Sequence, residues 1–139
     1  MLVTLAWGVG VGVVIALVDV LASQLSLRIT DTDLAAAIEL LDLLINLGLC
    51  GLAGYRVAAA RGELRSGLEA AVLAGLIVGL AGVGYNLARG PEELAAADAV
   101  YLVAMNVVLA AGAGALGAWG GSATRLRQPP GSDRGSRRS

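Results

Sequence analysis

Four long apolar stretches joined by short polar segments restrict this chain to very few folds. The stretches cover about Leu2–Ala22, Leu34–Tyr55, Leu68–Ala88 and Leu94–Trp119. The hydrocarbon core of a bilayer is about 30 Å thick, so a helix needs about 20 apolar residues to cross it. Each stretch has that length, and all three prolines of the chain lie outside the stretches. We therefore expect an all-α integral membrane protein with four unbroken transmembrane helices.

The composition agrees with this class and argues against catalysis. Hydrophobic residues make up 57% of the chain and charged residues 15%, whereas soluble domains have about 45–50% and about 25%. His and Lys are both absent, which removes the usual proton-shuttling base and Schiff-base chemistry. The single cysteine, Cys50, excludes an internal disulfide and a multi-cysteine metal site. Because nucleophile–base spacings, phosphate loops and cofactor fingerprints are also missing, we expect no enzymatic activity and no cofactor.

The arginines are unequally divided between the two sides of the predicted bundle. Eight of the ten lie between the second and third stretches or in the tail, while the other two loops hold only Arg28 and Arg89. Arg-rich segments stay in the cytoplasm. Both termini are therefore expected on the cytoplasmic side of a bacterial plasma (inner) membrane, N-in and C-in. The basic residues form no surface suited to nucleic acid.

Capping residues, a proline and composition predict where helices start and where the chain is disordered in the polar segments. Thr30–Asp33 offers side chains that can cap a helix starting near Leu34. Gly90–Glu93 places Pro91 at a first helical position, followed by two acids in the first turn. Residues 123–139 are expected to form a disordered, Arg-rich cytoplasmic tail, since the last twelve residues have no apolar side chain.

The chain is similar to itself at a spacing of about 60 residues. The matching pairs are Leu34–Ala37 with Leu94–Ala97, Asn46 with Asn106, Leu49 with Leu109, Gly54 with Gly114, and Val13–Val20 with Leu76–Val83. This similarity predicts two tandem helical hairpins, repeat 1 about 1–60 and repeat 2 about 66–121, in a transmembrane domain of residues 1–122. Because each hairpin crosses the membrane an even number of times, both copies share one orientation and their pseudo-two-fold axis lies along the membrane normal.

Three pairs of glycines, each spaced four residues apart, predict close helix contacts. They are Gly8 and Gly12, Gly75 and Gly79, and Gly117 and Gly121. Glycine lets helix backbones approach, and van der Waals contact is a main source of attraction between helices in lipid. The pairs fit two arrangements equally well: packing of the four helices of one chain, or an interface between subunits.

Six of the polar side chains inside the apolar stretches are the candidate site residues. They are Asp42, Glu39, Asp98, Asp19, Asn46 and Asn106. Glu39, Asp42 and Asn46 share one face of the second helix, and no basic residue lies at a similar depth. An unpaired charge at the bilayer centre costs about 2.5–3.5 kcal/mol on insertion scales. We therefore expect these carboxylates to be protonated, hydrated or bound to a cation, with no particular metal indicated.

A structural interpretation of the same residues is also open. Glu39 and Asp98 lie near helix starts, where acidic side chains interact favourably with the helix dipole. Asn46 and Asn106 can hydrogen bond to neighbouring helices, which contributes about 0.6 kcal/mol per bond on average. For Asp42, which is deeper and has no evident partner in the sequence, the two interpretations have equal support.

Three families of small membrane proteins share features with the chain, but each lacks a match at its key residues. Gly8–Gly12 and the loop Ala88–Glu92 are similar to the proteolipid ring subunit of rotary ATP synthases. That family has a carboxylate in the helix after the loop, where this chain has only apolar residues at 107–109. Small multidrug exporters carry a Glu in the middle of the first span, whereas here Asp19 lies near its outer end. Fluoride channels rely on phenylalanines, and none is present.

Two functions remain compatible with this pattern. The first is a small oligomeric transporter or channel whose acidic, outward-facing polar cavity carries a cation or a proton, as the acidic face of the second helix suggests. The second is a non-catalytic accessory or scaffold subunit of a larger membrane complex, as the small size and minimal loops suggest. The expected partners are the lipid bilayer and either further copies of the chain or the other subunits of such a complex.

Overall fold

The computed structural model describes residues 1–90 and 95–126, which form four long helices. They are α1 (Leu2–Ser26), α2 (Thr32–Arg61), α3 (Leu64–Arg89) and α4 (Ala96–Leu126). No strand occurs in the described residues, so the predicted all-α fold and the number of helices are confirmed. Each helix is long and apolar enough to cross a membrane.

Helix α2 starts and ends at recognisable capping residues. The Asp31 carboxylate accepts hydrogen bonds from the backbone N–H groups of Asp33 and Leu34, at 2.9 and 3.2 Å, which confirms the predicted cap. At the other end, Gly62 has a left-handed conformation with φ of 75°, which glycine adopts without steric penalty. Its N–H donates to the Ala58 carbonyl at 2.7 Å. The chain can therefore turn back into α3 almost at once.

The helices extend beyond the apolar stretches from which they were predicted. α2 continues to Arg61 and α4 to Leu126, because no proline interrupts these more polar turns. Residues 123–126 therefore belong to α4 and not to the tail, so the helical domain is longer than the predicted 1–122. The rest of the predicted tail, 127–139, and the predicted helix start at Pro91 lie outside the described residues.

The helices alternate in direction, so the bundle has two different ends. α1 and α3 begin, and α2 and α4 finish, at one end, here called the basic end because it carries Arg56, Arg61 and Arg65. α1 and α3 finish, and α2 and α4 begin, at the other end, here called the distal end. A hydrogen bond from Arg61 to Thr4 marks the basic end, and one from Gln24 to Tyr85 lies near the distal end.

α2 and α3 form the centre of the bundle, and α1 and α4 lie on either side of them. Each central helix lies against all three other helices, whereas the backbones of α1 and α4 do not come close to each other within residues 1–90 and 95–126. α4 packs more extensively against the central pair than α1 does. α1 is therefore the most loosely packed of the four helices.

The interior is built from small side chains, and many large apolar side chains point outward. Ile15 and Val57 are the largest fully buried side chains, and most other buried apolar residues are alanines. By contrast, Leu116 is 74% exposed and Trp119 is 69% exposed. Such a surface is unfavourable in water, but it suits helices that are surrounded by lipid and held together by close backbone contact. The distribution suggests membrane localisation.

All six glycines predicted to pack helices lie at helix–helix contacts within the chain. A Cβ added at Gly8 would lie 2.9 Å from the Ala70 carbonyl oxygen, and one at Gly79 would lie 2.7 Å from the Cα of Val103. The other four that meet a neighbouring helix are Gly12, Gly75, Gly117 and Gly121. Of the two arrangements that the sequence allows, the structure therefore shows packing within one chain for these residues.

Two residues paired by the internal similarity meet between α2 and α4. A Cβ at Gly54 would overlap the backbone of Gly114, its counterpart 60 residues later. Gly67 of α3 packs against the Gly54 carbonyl at the same level. The arrangement is not fully two-fold, because the contact between α2 and α3 has no counterpart between α1 and α4 in the part of the chain described. The duplication itself stays a prediction.

Candidate polar cavity

A polar cavity of about 240 Å³ lies in the distal half of the bundle and is lined by all four helices. We call it the distal cavity. Its lining residues are Ala16, Asp19, Val20, Ser23, Asp42, Val78, Ala81, Gly82, Tyr85, Asn86, Leu102 and Asn106. Asn86 is exposed at the surface of the bundle, so the cavity extends to the distal end.

Helical spacing brings the polar groups to this cavity. Asp19 and Ser23 are four residues apart on α1 and face the same way. Asp42 and Asn46 have the same spacing on α2. α4 contributes Asn106. Two carboxylates from different helices therefore share one space.

The shortest side-chain hydrogen bond between helices in the described residues joins α2 to α1. Asn46 Nδ2 donates to Asp19 Oδ1 at 2.6 Å, and the bond is partly buried. It orients the Asp19 carboxylate and links the loosely packed α1 to the centre of the bundle. The position of α1 therefore depends on the charge and hydrogen bonding of Asp19.

Two buried oxygen atoms beside this bond have no hydrogen-bond partner among the described residues. They are Asp42 Oδ1 and Asn46 Oδ1. An amide oxygen and an ionised carboxylate oxygen can only accept hydrogen bonds, and a buried acceptor without a donor costs about 1–3 kcal/mol. Atoms of this kind are satisfied by a water molecule, a proton or a cation. The local chemistry therefore favours donors and positive charge.

The charges around the distal cavity are of one sign. Asp19 and Asp42 lie next to each other there, and none of the described lining residues is basic. Arg89 instead lies over the Tyr85 ring, with its Cζ 5.7 Å from the ring centroid, which is a cation–π contact. The two carboxylates therefore have no neutralising side chain within the cavity lining.

Polar side chains of α1 and α3 border the cavity on its distal side. Gln24 Nε2 donates to the Tyr85 hydroxyl at 2.7 Å. Asn86 Nδ2 donates to the Gly82 carbonyl of its own helix at 2.8 Å. Since Tyr85 and Asn86 also line the cavity, its distal side is polar.

A smaller cavity of about 40 Å³ continues toward the basic end. Val78 and Asn106 line both cavities, and Asn46 also lines the smaller one. Its volume is sufficient for a water molecule. Nearer the basic end, the backbones of Gly54 and Gly114 meet. The polar space is therefore open on the distal side and closed on the other.

The structure brings together four of the six polar residues predicted as site candidates. Asp19, Asp42 and Asn106 line the distal cavity, and Asn46 is hydrogen bonded to Asp19. Ser23 also lines the cavity and is not among the candidates. Its spacing of four residues from Asp19 is the sequence signal that identifies it.

Glu39 and Asp98 do not reach this group of residues. Glu39 lies seven residues, or about 10 Å, from Asn46 toward the distal end. Asp19, the partner of Asn46, is seven residues from the end of α1 at Ser26. Glu39 is therefore level with the last turn of α1, where it is exposed. Asp98 is in the first turn of α4 and is also exposed.

The two asparagines differ in their hydrogen bonding. Asn46 bonds to the neighbouring helix α1, as the structural interpretation predicts. Asn106 does not, because its Nδ2 donates to the Leu102 carbonyl of its own helix at 2.9 Å. The hydrogen bond that the structure gives Asn106 therefore lies within α4 and not between helices.

Comparisons of the chain with protein-family models, curated proteins and solved structures gave no match. Function is therefore inferred from the residues of this chain and their geometry. The distal cavity is the feature with the most distinctive chemistry.

Proposed function

We propose that the chain is an integral membrane protein with both termini in the cytoplasm, and that its distal cavity takes up a cation or a proton for translocation. One observation carries this proposal. The cavity combines two carboxylates and an unpartnered buried carboxylate oxygen with no basic side chain among its described lining residues. An oligomeric state is part of the proposal, because a bundle of only four helices encloses little volume.

The sizes and positions of the side chains support insertion into a bilayer. Leu40 and Leu41 are each 58% exposed and Leu44 is 57% exposed, so α2 presents a broad apolar face to its surroundings. The helices contain 25 to 31 residues, which exceeds the roughly 20 needed to cross the hydrocarbon core. The additional turns carry polar residues that suit the two interfaces.

The difference in charge between the two ends supports the orientation. Eight of the ten arginines lie in the last two turns of α2, in the first turn of α3 or in the C-terminal segment from Arg125 onward, and such basic segments stay in the cytoplasm of bacteria. The basic end then faces the cytoplasm and the distal end faces the outside. In this orientation the distal cavity opens away from the cytoplasm, in the plasma membrane.

A cation or a proton is the species that best balances the negative charge of the cavity carboxylates. Asp19 and Asp42 repel each other when both are ionised, and each ionised carboxylate is costly within a membrane. A bound cation or a shared proton reduces both costs, whereas an anion increases the repulsion. Carboxylate and amide oxygens are the usual ligands of hard cations.

The binding is expected to be weak and exchangeable. Among the described residues, no group of three or more His, Cys, Asp and Glu side chains is arranged to hold a metal ion. Two carboxylates assisted by amide oxygens provide fewer charges than a permanent metal centre. Weak binding suits a transported species, which has to leave as well as enter.

Translocation requires the bundle to open toward the basic end, where Gly54 and Gly114 close it. α1 is the helix best placed to move, because it is the most loosely packed and is linked to α2 through the Asn46–Asp19 bond. A proton or cation on Asp19 weakens that carboxylate as an acceptor for the Asn46 amide. Uptake of the ion would thereby release α1.

The outer surface of the bundle favours a second candidate, an accessory or scaffold subunit of a larger membrane complex. A Cβ added at Gly48 or Gly112 would meet nothing within 4 Å, so these glycines are not needed for packing in the described chain. An exposed glycine permits another helix to approach closely in lipid. The mass of the complex extracted gently from native membranes distinguishes the two candidates, since a homo-oligomer favours translocation and a stoichiometric larger partner favours the accessory role.

Ion flux into liposomes tests the translocation directly. The purified chain is reconstituted, and the uptake of H⁺, Na⁺ and K⁺ is followed with ion-sensitive dyes. Asp42→Asn removes the charge of a cavity carboxylate. Glu39→Gln is the matched control, because it removes an exposed carboxylate from the same helix that does not line the distal cavity.

We expect the Asp42→Asn variant to lose more than about tenfold in flux, since each 1.36 kcal/mol of added barrier is a factor of ten. Glu39→Gln should keep the flux of the unsubstituted chain. Equal flux in all three proteins, or an equal loss in both variants, contradicts a role for the distal cavity. A complete lack of flux in the unsubstituted chain favours the accessory function.

A further inference from the structure

A second polar cavity, of about 440 Å³, lies at the basic end. The starts of α1 and α3 and the end of α2 line it, and it shares no lining residue with the distal cavity. We call it the basic-end groove. It combines charged side chains of both signs with the apolar side chains of Leu5 and Leu73. Ion translocation through the distal cavity makes no use of it.

The Arg61 guanidinium, one of the positive groups in the groove, has no carboxylate partner among the side chains described, those of residues 1–90 and 95–124. Arg61 Nη1 donates to Thr4 Oγ1 at 3.1 Å, and the only ion pair in that part of the chain joins Arg65 to Glu69, at 2.8 Å. Thr4 is only 7% exposed. This buried hydroxyl therefore fixes the position of the Arg61 guanidinium but does not neutralise it, and further N–H groups of the guanidinium stay available.

One negative charge in the groove is held in a similar way. Ser66 Oγ donates to Glu63 Oε2 at 2.9 Å, and Ser66 is only 4% exposed. No ion pair to Glu63 occurs among the side chains described, those of residues 1–90 and 95–124. Arg61 and Glu63 are two residues apart across the turn at Gly62, yet each is anchored to a different buried hydroxyl. The fold thus keeps one cation and one anion apart on the wall of the same groove.

The Arg61 guanidinium and the Glu63 carboxylate are complementary to a zwitterionic lipid headgroup, which carries a negative phosphate and a positive ammonium. A guanidinium binds a phosphate through paired, charge-assisted hydrogen bonds. A carboxylate accepts hydrogen bonds from a primary ammonium, which has three donors. Below these groups, Leu5 is 43% exposed and offers an apolar surface for an acyl chain. A free, water-soluble zwitterion would leave that surface uncovered.

We propose that the basic-end groove binds an aminophospholipid, with Arg61 on the phosphodiester, Glu63 on the primary ammonium and the acyl chains along Leu5 and Leu73. The proposal rests on membrane insertion, which brings lipid headgroups to this end, but not on ion translocation. Basic pockets between helices at the cytoplasmic interface are known to recognise lipid headgroups. Here the additional carboxylate selects for an ammonium as well.

Native mass spectrometry of the delipidated, purified chain in detergent tests this site. The probes are phosphatidylethanolamine, phosphatidylglycerol and phosphatidylcholine with identical acyl chains, because only the first has both a phosphate and a primary ammonium. The variants are Arg61→Gln and Glu63→Gln. Arg56→Gln is the matched control, since Arg56 is an exposed arginine of the same helix that does not line the groove.

We expect the first bound phosphatidylethanolamine to bind about tenfold more tightly than either other lipid, as one additional charge-assisted hydrogen-bonded pair allows. Arg61→Gln should weaken the binding of all three lipids. Glu63→Gln should abolish the preference for phosphatidylethanolamine over phosphatidylglycerol while leaving phosphatidylglycerol bound. Arg56→Gln should change neither affinity nor preference.

Three results overturn the proposal: equal binding of the three lipids, preference for phosphatidylglycerol in the unsubstituted chain, or an equal effect of Arg56→Gln and Arg61→Gln. The Asp42→Asn variant separates this inference from the proposed function. It should bind phosphatidylethanolamine like the unsubstituted chain whether or not it conducts ions.

Discussion

At the scale of single residues, Asn46 connects the packing of the bundle to the chemistry of the distal cavity. Its amide nitrogen holds the Asp19 carboxylate of α1 at 2.6 Å, and its amide oxygen is buried without a partner in the described chain. Asparagine is one of few side chains that can offer a donor to one helix and an acceptor to a small polar space. A charge change at Asp19 therefore acts directly on the contact between two helices.

Replacing Asn46 by leucine tests this connection. Asn46→Leu removes the bond to Asp19, which in membranes contributes about 0.6 kcal/mol on average, and leaves Asp19 Oδ1 without that donor, but it also removes the buried Asn46 oxygen that has no donor. Because these effects oppose each other, we expect the free energy of unfolding in detergent to change by less than about 1 kcal/mol. The ion flux should nevertheless fall, since α1 loses the link that responds to Asp19.

Asn106→Leu is the comparison for that experiment, because the Asn106 amide donates within its own helix. We expect it to lower the flux less than Asn46→Leu does. If Asn46→Leu destabilises the bundle strongly while its flux stays normal, Asn46 has a purely structural role.

The sequence identifies the polar residues of the site but not their partners. Asp19, Asp42, Asn46 and Asn106 stand out because polar groups are rare in long apolar stretches. That Asp19 pairs with Asn46 depends on how far α2 extends past the end of α1, which neither stretch specifies. The exposure of Glu39 also depends on how far α2 extends past the end of α1. It shares a helix face with Asn46, but it lies about two turns nearer the distal end, where α1 ends.

At the scale of helices, contact between backbones replaces contact between large side chains. Gly54, Gly67 and Gly114 bring α2, α3 and α4 together at one level near the basic end. The paired glycines with four-residue spacing could be recognised in the sequence. These three could not, because each contacts a glycine or alanine of another helix and none of them has a glycine partner four residues away.

Alanine substitution separates the packed glycines from the exposed ones. A Cβ at Gly54 would overlap the Gly114 carbonyl, whereas one at Gly112 meets nothing within 4 Å. We expect Gly54→Ala to lower the free energy of unfolding by about 1–3 kcal/mol, as overpacking does. Gly112→Ala should leave it unchanged or raise it by up to about 1 kcal/mol, because alanine is the better helix former.

Unfolding by denaturing detergent, followed by far-ultraviolet circular dichroism, measures both variants. Equal stability of Gly54→Ala and Gly112→Ala would show that α2 and α4 are not in backbone contact. A loss confined to Gly112→Ala would indicate that this open glycine faces a second subunit in the detergent-solubilised protein.

At the scale of the whole molecule, the helix bundle has small residues inside, large apolar residues outside and one polar space. Its general form follows from the sequence, because hydropathy and length fix the number of helices. The helix ends are predicted less closely from the sequence, because polar turns such as those before Arg61 extend a helix beyond its apolar stretch. The distal cavity depends on where the helices separate, and no local pattern encodes that.

Water access to the distal cavity from outside the cell is the central claim, and cysteine labelling measures it most directly. Cys50 is 4% exposed and is first replaced by alanine. Ser23→Cys then places a thiol in the cavity lining, and Ser122→Cys places one near the basic end. Intact cells are treated with membrane-impermeant thiol reagents that are similar in size, one cationic and one anionic.

We predict that the Ser23→Cys thiol is labelled from outside and that the cationic reagent reacts roughly tenfold faster, since two nearby carboxylates attract it. The preference should shrink in the additional presence of Asp42→Asn. The Ser122→Cys thiol should react only after the cells are opened. No labelling at Ser23→Cys from outside, or equal rates for the two reagents, would contradict an outward-facing cavity that selects positive charge.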